Sequence, residues 1–270
     1  QVAGYSFKDE AGNPISLSTS ELPKTQALWS PRVGFNWDVL GDRSVQVRGG
    51  TGIFSGRPAF VWISNQMSNN GILTGSLRDD NTTGEYPFSP DVTKYNLPPN
   101  PGQPASSYNI AVSDPEFKYP QTWKTNIAVD KTLPYGIIAT AEFIYNKEIN
   151  NVTYINANLE PANGTLSGPD NRPTYPGLGL SGTPQNIASR VNDNITDAIL
   201  LKNTNKGKGY SATIKLERPT TRGLSAMVAY NYSNTKDPMS AGSIAFSSWR
   251  DNFSVNGNNL PTVAFSNNDL

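Results

Sequence analysis

The stretch Arg32-Val33-Gly34-Phe35-Asn36-Trp37-Asp38, then Val39-Leu40-Gly41-Asp42-Arg43, then Ser44-Val45-Gln46-Val47-Arg48-Gly49-Gly50-Thr51-Gly52-Ile53-Phe54-Ser55, decides the fold class. Val33, Phe35 and Trp37 alternate with Arg32, Gly34, Asn36 and Asp38, so an extended chain has one apolar and one polar face. After the Gly-Asp turn the alternation resumes, with Val45, Val47, Gly49, Thr51 and Ile53 opposite Gln46, Arg48, Gly50, Gly52 and Phe54. This is an amphipathic hairpin with a short turn.

The pattern occurs twice more. Trp123, Thr125, Ile127 and Val129 lead to a turn at 132–136, and Ile137, Ala139, Ala141, Phe143 and Tyr145 lead away from it. Tyr210, Ala212, Ile214 and Leu216 lead to a turn at 219–223, and Leu224, Ala226, Val228, Tyr230 and Tyr232 lead away. The hairpins span about 32–55, 123–145 and 210–233, and residues 1–28 read as a connecting strand or loop before them. Between the hairpins lie polar excursions at about 57–120 and 146–209, far beyond the roughly 12–15 residues usual for loops in compact domains. Strands of about 9–11 residues suit a tilted membrane crossing, and tight turns at one end with long loops at the other mark transmembrane barrels. Trp29, Trp37, Trp123, Tyr135, Tyr145, Tyr230 and Tyr232 sit where interface girdles of aromatic rings belong. Val33, Phe35, Val45, Val47, Ile127, Val129, Ala139, Phe143, Ile214 and Val228 are expected to face lipid. The fold expected is therefore all-β, an antiparallel section of a large outer-membrane β-barrel, with tight turns on the periplasmic side and long loops on the extracellular side.

Composition agrees. In 270 residues, 36% are hydrophobic and only 16% charged, with 23 Gly and 21 Pro. Ordinary soluble domains carry about 25% charge. A wall facing lipid on one side and a wet lumen on the other excludes charge from the first and uses amides and hydroxyls on the second. Formal charge is zero, so the electrostatic footprint of a nucleic-acid binder is missing and no such partner is expected. The chain has no Cys and no His, which removes disulfide frameworks, thiolate metal sites, the common zinc sites and the His-based nucleophile systems. No enzyme activity, catalytic residue, metal or cofactor is expected. No apolar run reaches the roughly 18 residues of a transmembrane helix.

Other motifs read as structure. Asp79-Asp80 and the pair Asp114 and Glu116 are carboxylates in loops, where sequence spacing does not establish the separation that glycosidase chemistry requires, and they read as solvated loop charge. The runs at 79–81 and 192–194 lack EF-hand spacing, and Arg48-Gly49-Gly50-Thr51-Gly52 lacks the Lys-Ser/Thr and helix of a phosphate loop. The six Asn-x-Ser/Thr sequons include Asn231, inside a predicted membrane strand, and are compositional. Candidate ligand contacts are loop aromatics and residues at loop bases: Arg57, Trp62, Tyr86, Tyr95, Tyr108, Tyr119, Lys147, Tyr154 and Tyr175. Aromatic rings among adaptable polar groups suit a sugar, peptide or chelate, and suit loop packing equally.

Four segments carry a family likeness: residues 31–38, 48–58, Tyr119-Pro120-Gln121-Thr122-Trp123-Lys124, and Tyr154-Ile155-Asn156-Ala157-Asn158-Leu159. They resemble the barrel of TonB-dependent receptors of the Oar-like type, common in Bacteroidetes, with the likeness running over about 29–270. The resemblance implies a complete barrel of about 22 strands with an N-terminal plug in its lumen. It implies ligand binding at the cell surface and import driven through TonB. The implied partners are outer-membrane lipid and lipopolysaccharide, the TonB complex acting through the plug, a surface lipoprotein, and a small-molecule, peptide or glycan ligand. The chain shows no TonB box or plug ahead of the hairpins and no aromatic-terminated closing strand, so it is expected to be a partial barrel. A secreted or surface β-rich adhesin or carbohydrate-binding module without transport is the alternative; turn signals every 8–12 residues would mark it.

Overall fold

The computed structural model describes residues 2, 4–56, 59–71, 87–95, 108–169, 171, 173–176, 189–221, 223–239, 244–251, 258, 264 and 265. In chain order the elements are β1 (Phe7–Lys8), β2 (Pro14–Ile15), β3 (Arg32–Asp38), β4 (Val45–Ser55), α1 (Val61–Ser68), β5 (Tyr108–Ser113), β6 (Gln121–Leu133), β7 (Ile137–Glu148), β8 (Asn151–Asn156), β9 (Gly164–Thr165), β10 (Pro173–Thr174), β11 (Ile195–Thr204), β12 (Lys208–Thr221), β13 (Leu224–Asp237), α2 (Ala245–Arg250) and β14 (Ala264–Phe265).

The three predicted hairpins, joined by β14 at one edge, form one seven-stranded sheet in the order β3-β4-β6-β7-β12-β13-β14. Every pairing in it is antiparallel. Local chemistry fixes the reversals. The Asp38 carboxylate accepts the Gly41 and Arg43 amides at 3.0 and 2.9 Å, and Gly41 and Arg43 take positive φ of 74° and 61°. At the second turn Pro134 opens a 3-10 turn that Tyr135 and Gly136 close, with φ of 65° and 71°. β6, β12 and β13 run 13, 14 and 14 residues, longer than the predicted membrane crossing, because pairing continues beyond the apolar belt toward the excursions.

Register places the predicted lipid-facing residues in cross-strand rows. One row is Phe35, Gly49, Ile127, Phe143, Ala212 and Tyr232; the next toward the turns is Trp37, Val47, Val129, Ala141, Ile214 and Tyr230. Val33, Phe35, Ile127, Ile214 and Val228 are 67, 55, 50, 63 and 66% exposed, whereas Ala128 and Thr140 on the opposite, polar face are 1 and 7% exposed. A flat single-layer sheet would expose both faces alike. Exposed apolar groups outside and crowded polar groups inside mean that the sheet curls around its polar face, as a barrel wall does. A Cβ at Gly49 would lie 2.7 Å from the Asn126 carbonyl and 3.1 Å from the Phe35 ring. The ring thus fills the space a side chain would take.

The outward face is ordered along the strands. Lys131, Val45, Ala139, Leu216 and Val228 share a row near the turns, and Trp123, Ile53, Lys147, Lys208 and Lys236 a row near the excursions. From Leu216 to Lys208 the strand advances eight residues (216 − 208), about 27 Å at roughly 3.4 Å each. At the 35–45° tilt of such barrels this is about 20 Å along the membrane normal, near the roughly 25 Å apolar band they carry. The three rows between contain no charged residue.

The two excursions, read from sequence as loops, contain strands. β5, β11 and β8 form a three-stranded sheet, in which β11 runs parallel to β5 and antiparallel to β8. Both faces of this sheet are buried. Val2, Phe7, Leu17, Ile110, Ile155 and Leu200 lie in the cluster on one side, while Phe117, Val152, Ile199, Leu201, Met239 and Ala245 lie in that on the other. Residues 1–28, read as a connector of the barrel, supply Val2, Phe7 and Leu17 to this core. The result is a lobe with its own two-sided core at the end of the sheet opposite the tight turns. β8 follows β7, and β12 follows β11, with only a few residues between. The Glu148 amide donates to the Gly207 carbonyl at 3.1 Å across the joint. Gly207 takes φ of 114° and leaves no room for a side chain, since a Cβ would meet Glu148 Cγ at 2.7 Å.

Candidate functional site

The inner face of the curved sheet carries a connected polar wall. Arg48 donates from Nε to Asp130 Oδ2 at 2.8 Å, with Nη1 at 3.9 Å from Glu142 Oε1. Thr140 donates to the other Asp130 oxygen at 2.7 Å. Lys215 pairs with Glu217 at 2.7 Å, and Asn231 donates to Ser211 and Thr213 at 2.8 and 2.7 Å. β4, β6, β7, β12 and β13 each contribute, because alternate residues of every strand point inward. Fixed charges and amides facing a lumen supply polar contacts and fix selectivity, in contrast to the apolar outer face.

Toward the lobe this wall opens into a groove of about 280 Å³ lined by Arg32, Gly50, Phe54, Lys124 and Asn126 among others. Arg32 lies 4.3 Å over the Phe54 ring and Lys124 5.9 Å from it, so the ring is flanked by two cations. Gly50 and Gly52 keep the floor low. A Cβ at Gly52 would stand 2.8 Å from Arg32 Cγ and 2.9 Å from the Pro31 carbonyl. Two cations and an aromatic face suit an acidic group carried on a flat or apolar body.

The lobe holds a second cavity, of about 690 Å³, between the β1–β2 segment and the β5–β11 pair. Val2, Leu17, Val112 and Leu200 give it apolar walls, and Asp9, Glu21 and Asp114 give it carboxylates. Hydrogen bonds from Asn13 hold the Asp9 carboxyl below the usual range. Lys202 at its edge is paired with Glu10 at 2.8 Å. Among the described residues no group of three or more His, Cys, Asp or Glu is placed to hold a metal ion.

The residues singled out in the sequence do not converge. Arg57 and Tyr86 lie outside the described residues. Trp62, on α1, and Tyr119 meet Phe117 edge-on at 6.5 and 6.2 Å, half-buried against the lobe. Tyr95 bonds the Pro87 carbonyl and lies under Lys94 at 5.1 Å. Tyr175 is half-buried, and burial raises its hydroxyl pKa. Tyr108 and Tyr154 are core residues, 7 and 3% exposed. Their rings pack in the lobe, which leaves no face for a ligand, and burial pushes the Tyr154 hydroxyl pKa far up. Lys147 is corrected as well. It was singled out as a ligand contact at a loop base, but its register with Trp123 and Lys208 puts it on the outward face, and it donates to the Asn205 carbonyl at 2.6 Å. The Arg48–Asp130–Glu142 set and the Arg32–Phe54–Lys124 groove were not anticipated. Arg48 meets Asp130, and Phe54 meets Lys124, between β4 and β6, strands joined through the first excursion, so no short loop length fixes the register that would reveal them.

A single curved antiparallel sheet, apolar outside and polar inside, defines the class of protein. The profile of the family described as "Outer membrane beta barrel domain" matches residues 4–268. The chain belongs to that family, and its place is the cell outer membrane. No curated protein sequence matches it. Among solved structures it is similar to the outer membrane transporter YddB from Escherichia coli, with 13% identity and a TM-score of 0.43. That likeness covers 78% of this chain and 20% of the transporter chain. The family match places the chain in an outer-membrane barrel, against the alternative of a secreted β-rich adhesin or carbohydrate-binding module.

Proposed function

We propose that this chain is a section of the barrel of a TonB-dependent receptor of the Oar-like type, which binds a ligand at the cell surface and imports it with energy delivered by the TonB complex through a plug. The observation that carries this reading is the cationic, aromatic groove in the inner wall directly below the lobe, where a solute entering the lumen would pass. The segments at 31–38 and 48–58, which resemble that receptor type, supply both the outer apolar row and the groove residues Arg32, Gly50 and Phe54. The tight turns then face the periplasm and the lobe faces outward, since such barrels place their long connections outside. The ligand is a small molecule, peptide or glycan bearing an acidic group, held in the groove. A surface lipoprotein would cap the lobe. The chain performs no chemistry of its own.

The test uses cells making the full-length receptor. Arg32→Ala with Lys124→Ala should lower uptake of the receptor's ligand by about tenfold, the loss of roughly 1.4 kcal/mol of binding, with the barrel still assembled. Protease added to intact cells should cut within 57–120 or 146–209. Cleavage confined to the three tight turns would reverse the sidedness, and unchanged uptake in the double variant would remove the groove from the path.

A further inference from the structure

The lobe cavity of about 690 Å³ has no part in the groove, and its size falls within the roughly 300–1,000 Å³ of small-molecule sites. Its floor is the paired strands β5 and β11, through Val112 and Leu200. The segment from Val2 through the β1–β2 hairpin to Leu17 closes over that floor. Tyr5 lines it as well, with its hydroxyl engaged by that of Tyr108. Apolar and aromatic walls of this kind suit an organic body.

The charges decide what that body carries. Asp9, Glu21 and Asp114 line the cavity, and Lys202 is the one cation that does. Lys202 is committed elsewhere: its ammonium donates to both oxygens of Glu10, which does not line the cavity, at 3.0 and 2.8 Å. Lys24, whose charge is felt by Glu21 and Asp114, pairs with Glu116. Three carboxylates are left around one space. The turn fixes Asp9, whose Oδ1 accepts the Ala11 and Asn13 amides at 2.9 and 2.8 Å and whose Oδ2 accepts Asn13 Nδ2 at 3.1 Å. The Glu21 carboxylate has no hydrogen-bond or ion-pair partner among the described residues. Thr153 is in register with Lys202 and lies on the same side of the sheet as Ile155 and Leu200. It is 2% exposed and its hydroxyl has no partner, so it adds an unused acceptor beside Lys202. Carboxylates gathered in this way repel one another, and a bound cation removes the repulsion. The three are not placed to ligate one metal ion, which favours a cation carried on an organic body.

We propose that the lobe cavity binds an organic cation, a protonated amine on an apolar or aromatic body, with the body against Val112 and Leu200 and the ammonium among Asp9, Glu21 and Asp114. Charge-assisted hydrogen bonds hold the ammonium, and an aromatic ring such as Tyr5 attracts it further. The site takes the opposite charge from the Arg32–Lys124 groove. It depends on neither that groove nor import, because its lining comes wholly from residues 2–21, 112–115 and 200–202.

The experiment titrates the full-length receptor in nanodiscs by calorimetry and maps the contact by hydrogen exchange. Its probes are 2-phenylethylamine, the neutral 2-phenylethanol of equal size, and ethylamine, which keeps the charge without the ring. 2-Phenylethylamine should bind about tenfold more tightly than either of the others, and should slow exchange at 5–17 and 110–115. Glu21→Gln with Asp114→Asn should weaken its binding about tenfold and leave 2-phenylethanol unaffected; Asp114→Asn keeps an acceptor for the Glu116 amide. If the double variant disturbs the lobe, seen as faster exchange at 195–201, Glu21→Gln alone, at an exposed side chain, should weaken the amine several-fold. Arg32→Ala with Lys124→Ala should leave amine binding unchanged, so failure of the groove and failure of this site are told apart. Three results would each overturn the proposal. Equal binding of amine and alcohol would leave a merely apolar cavity, equal binding of ethylamine and 2-phenylethylamine would leave only counter-ion attraction, and undiminished amine binding in the Gln and Asn variants would take the carboxylates out of the site.

Discussion

Placing an arginine at successive heights on the outward face should trace the membrane profile. Ile127 sits in the row four residues from Lys131 and four from Trp123, which shares its row with Lys147, so it marks the middle of the uncharged band. Its side chain is 50% exposed in the sheet, and in the membrane that surface meets hydrocarbon. Ile127→Arg should therefore cost about 2–4 kcal/mol, and Leu216→Arg, in the Lys131 row, about 0–1. Gln46 lies on the inner face opposite Asp38 and Asp130, so Gln46→Arg should cost less than about 0.5 kcal/mol or stabilise. Chemical unfolding of the full-length protein from lipid vesicles reads these differences directly, provided the slopes agree among variants. If Gln46→Arg proved as costly as Ile127→Arg, the register would be off by one residue and the inner and outer faces exchanged. If Leu216→Arg cost more than Ile127→Arg, the belt would be centred elsewhere.

Two predictions concern the lobe. Asn158, 1% exposed, donates to the Asn192 and Ile195 carbonyls at 3.0 and 2.5 Å and accepts the Asn192 amide at 2.9 Å; Asn158→Ala should cost about 2–4 kcal/mol by orphaning these backbone groups, read as faster hydrogen exchange at 195–201 with the barrel strands unaffected. Burial raises the Asp197 carboxyl pKa, against the pull of Asn156 and Arg190. A raised carboxylate contributes stability while protonated and loses it as pH rises through the folded pKa. Asp197→Asn, which keeps an acceptor for Asn156, should therefore slow exchange in the lobe at pH 7 and change little at pH 3; slower exchange at pH 3 alone would refute the sign.

The barrel wall was legible because its two solvents differ. Lipid outside and water inside impose a strict period of two on 32–55, 121–148 and 208–237, and short turns lock the register within each hairpin. The lobe hides from the same reading. In Ala198-Ile199-Leu200-Leu201 and Ile110-Ala111-Val112 both faces are buried, so alternation vanishes and a short apolar run remains. Tyr108 and Tyr154 looked available because Asn and Pro surround their segments in sequence, yet those polar neighbours carry the turns and backbone brackets of the lobe while the rings fill its core. Lys147 was misplaced for a simpler reason. β7 continues past Tyr145 to Glu148, and two further residues of strand carry the lysine to the same side as Phe143.

The parallel pairing of β5 with β11 also sets a timetable for assembly. Each hairpin closes over a handful of residues, whereas Tyr108 meets Ile195 across 87 intervening steps of chain (195 − 108). Closing long loops precedes any reward from the contacts they allow, and such contacts form slowly. β11 is also the central strand, without which β5 and β8 have no common partner. The first two hairpins can thus close without any later residue, while the lobe's sheet waits for β11, and its second core cluster for Met239 and Ala245. Until then its apolar strands are unpaired edges, and that interval is when the protein is most exposed to aggregation.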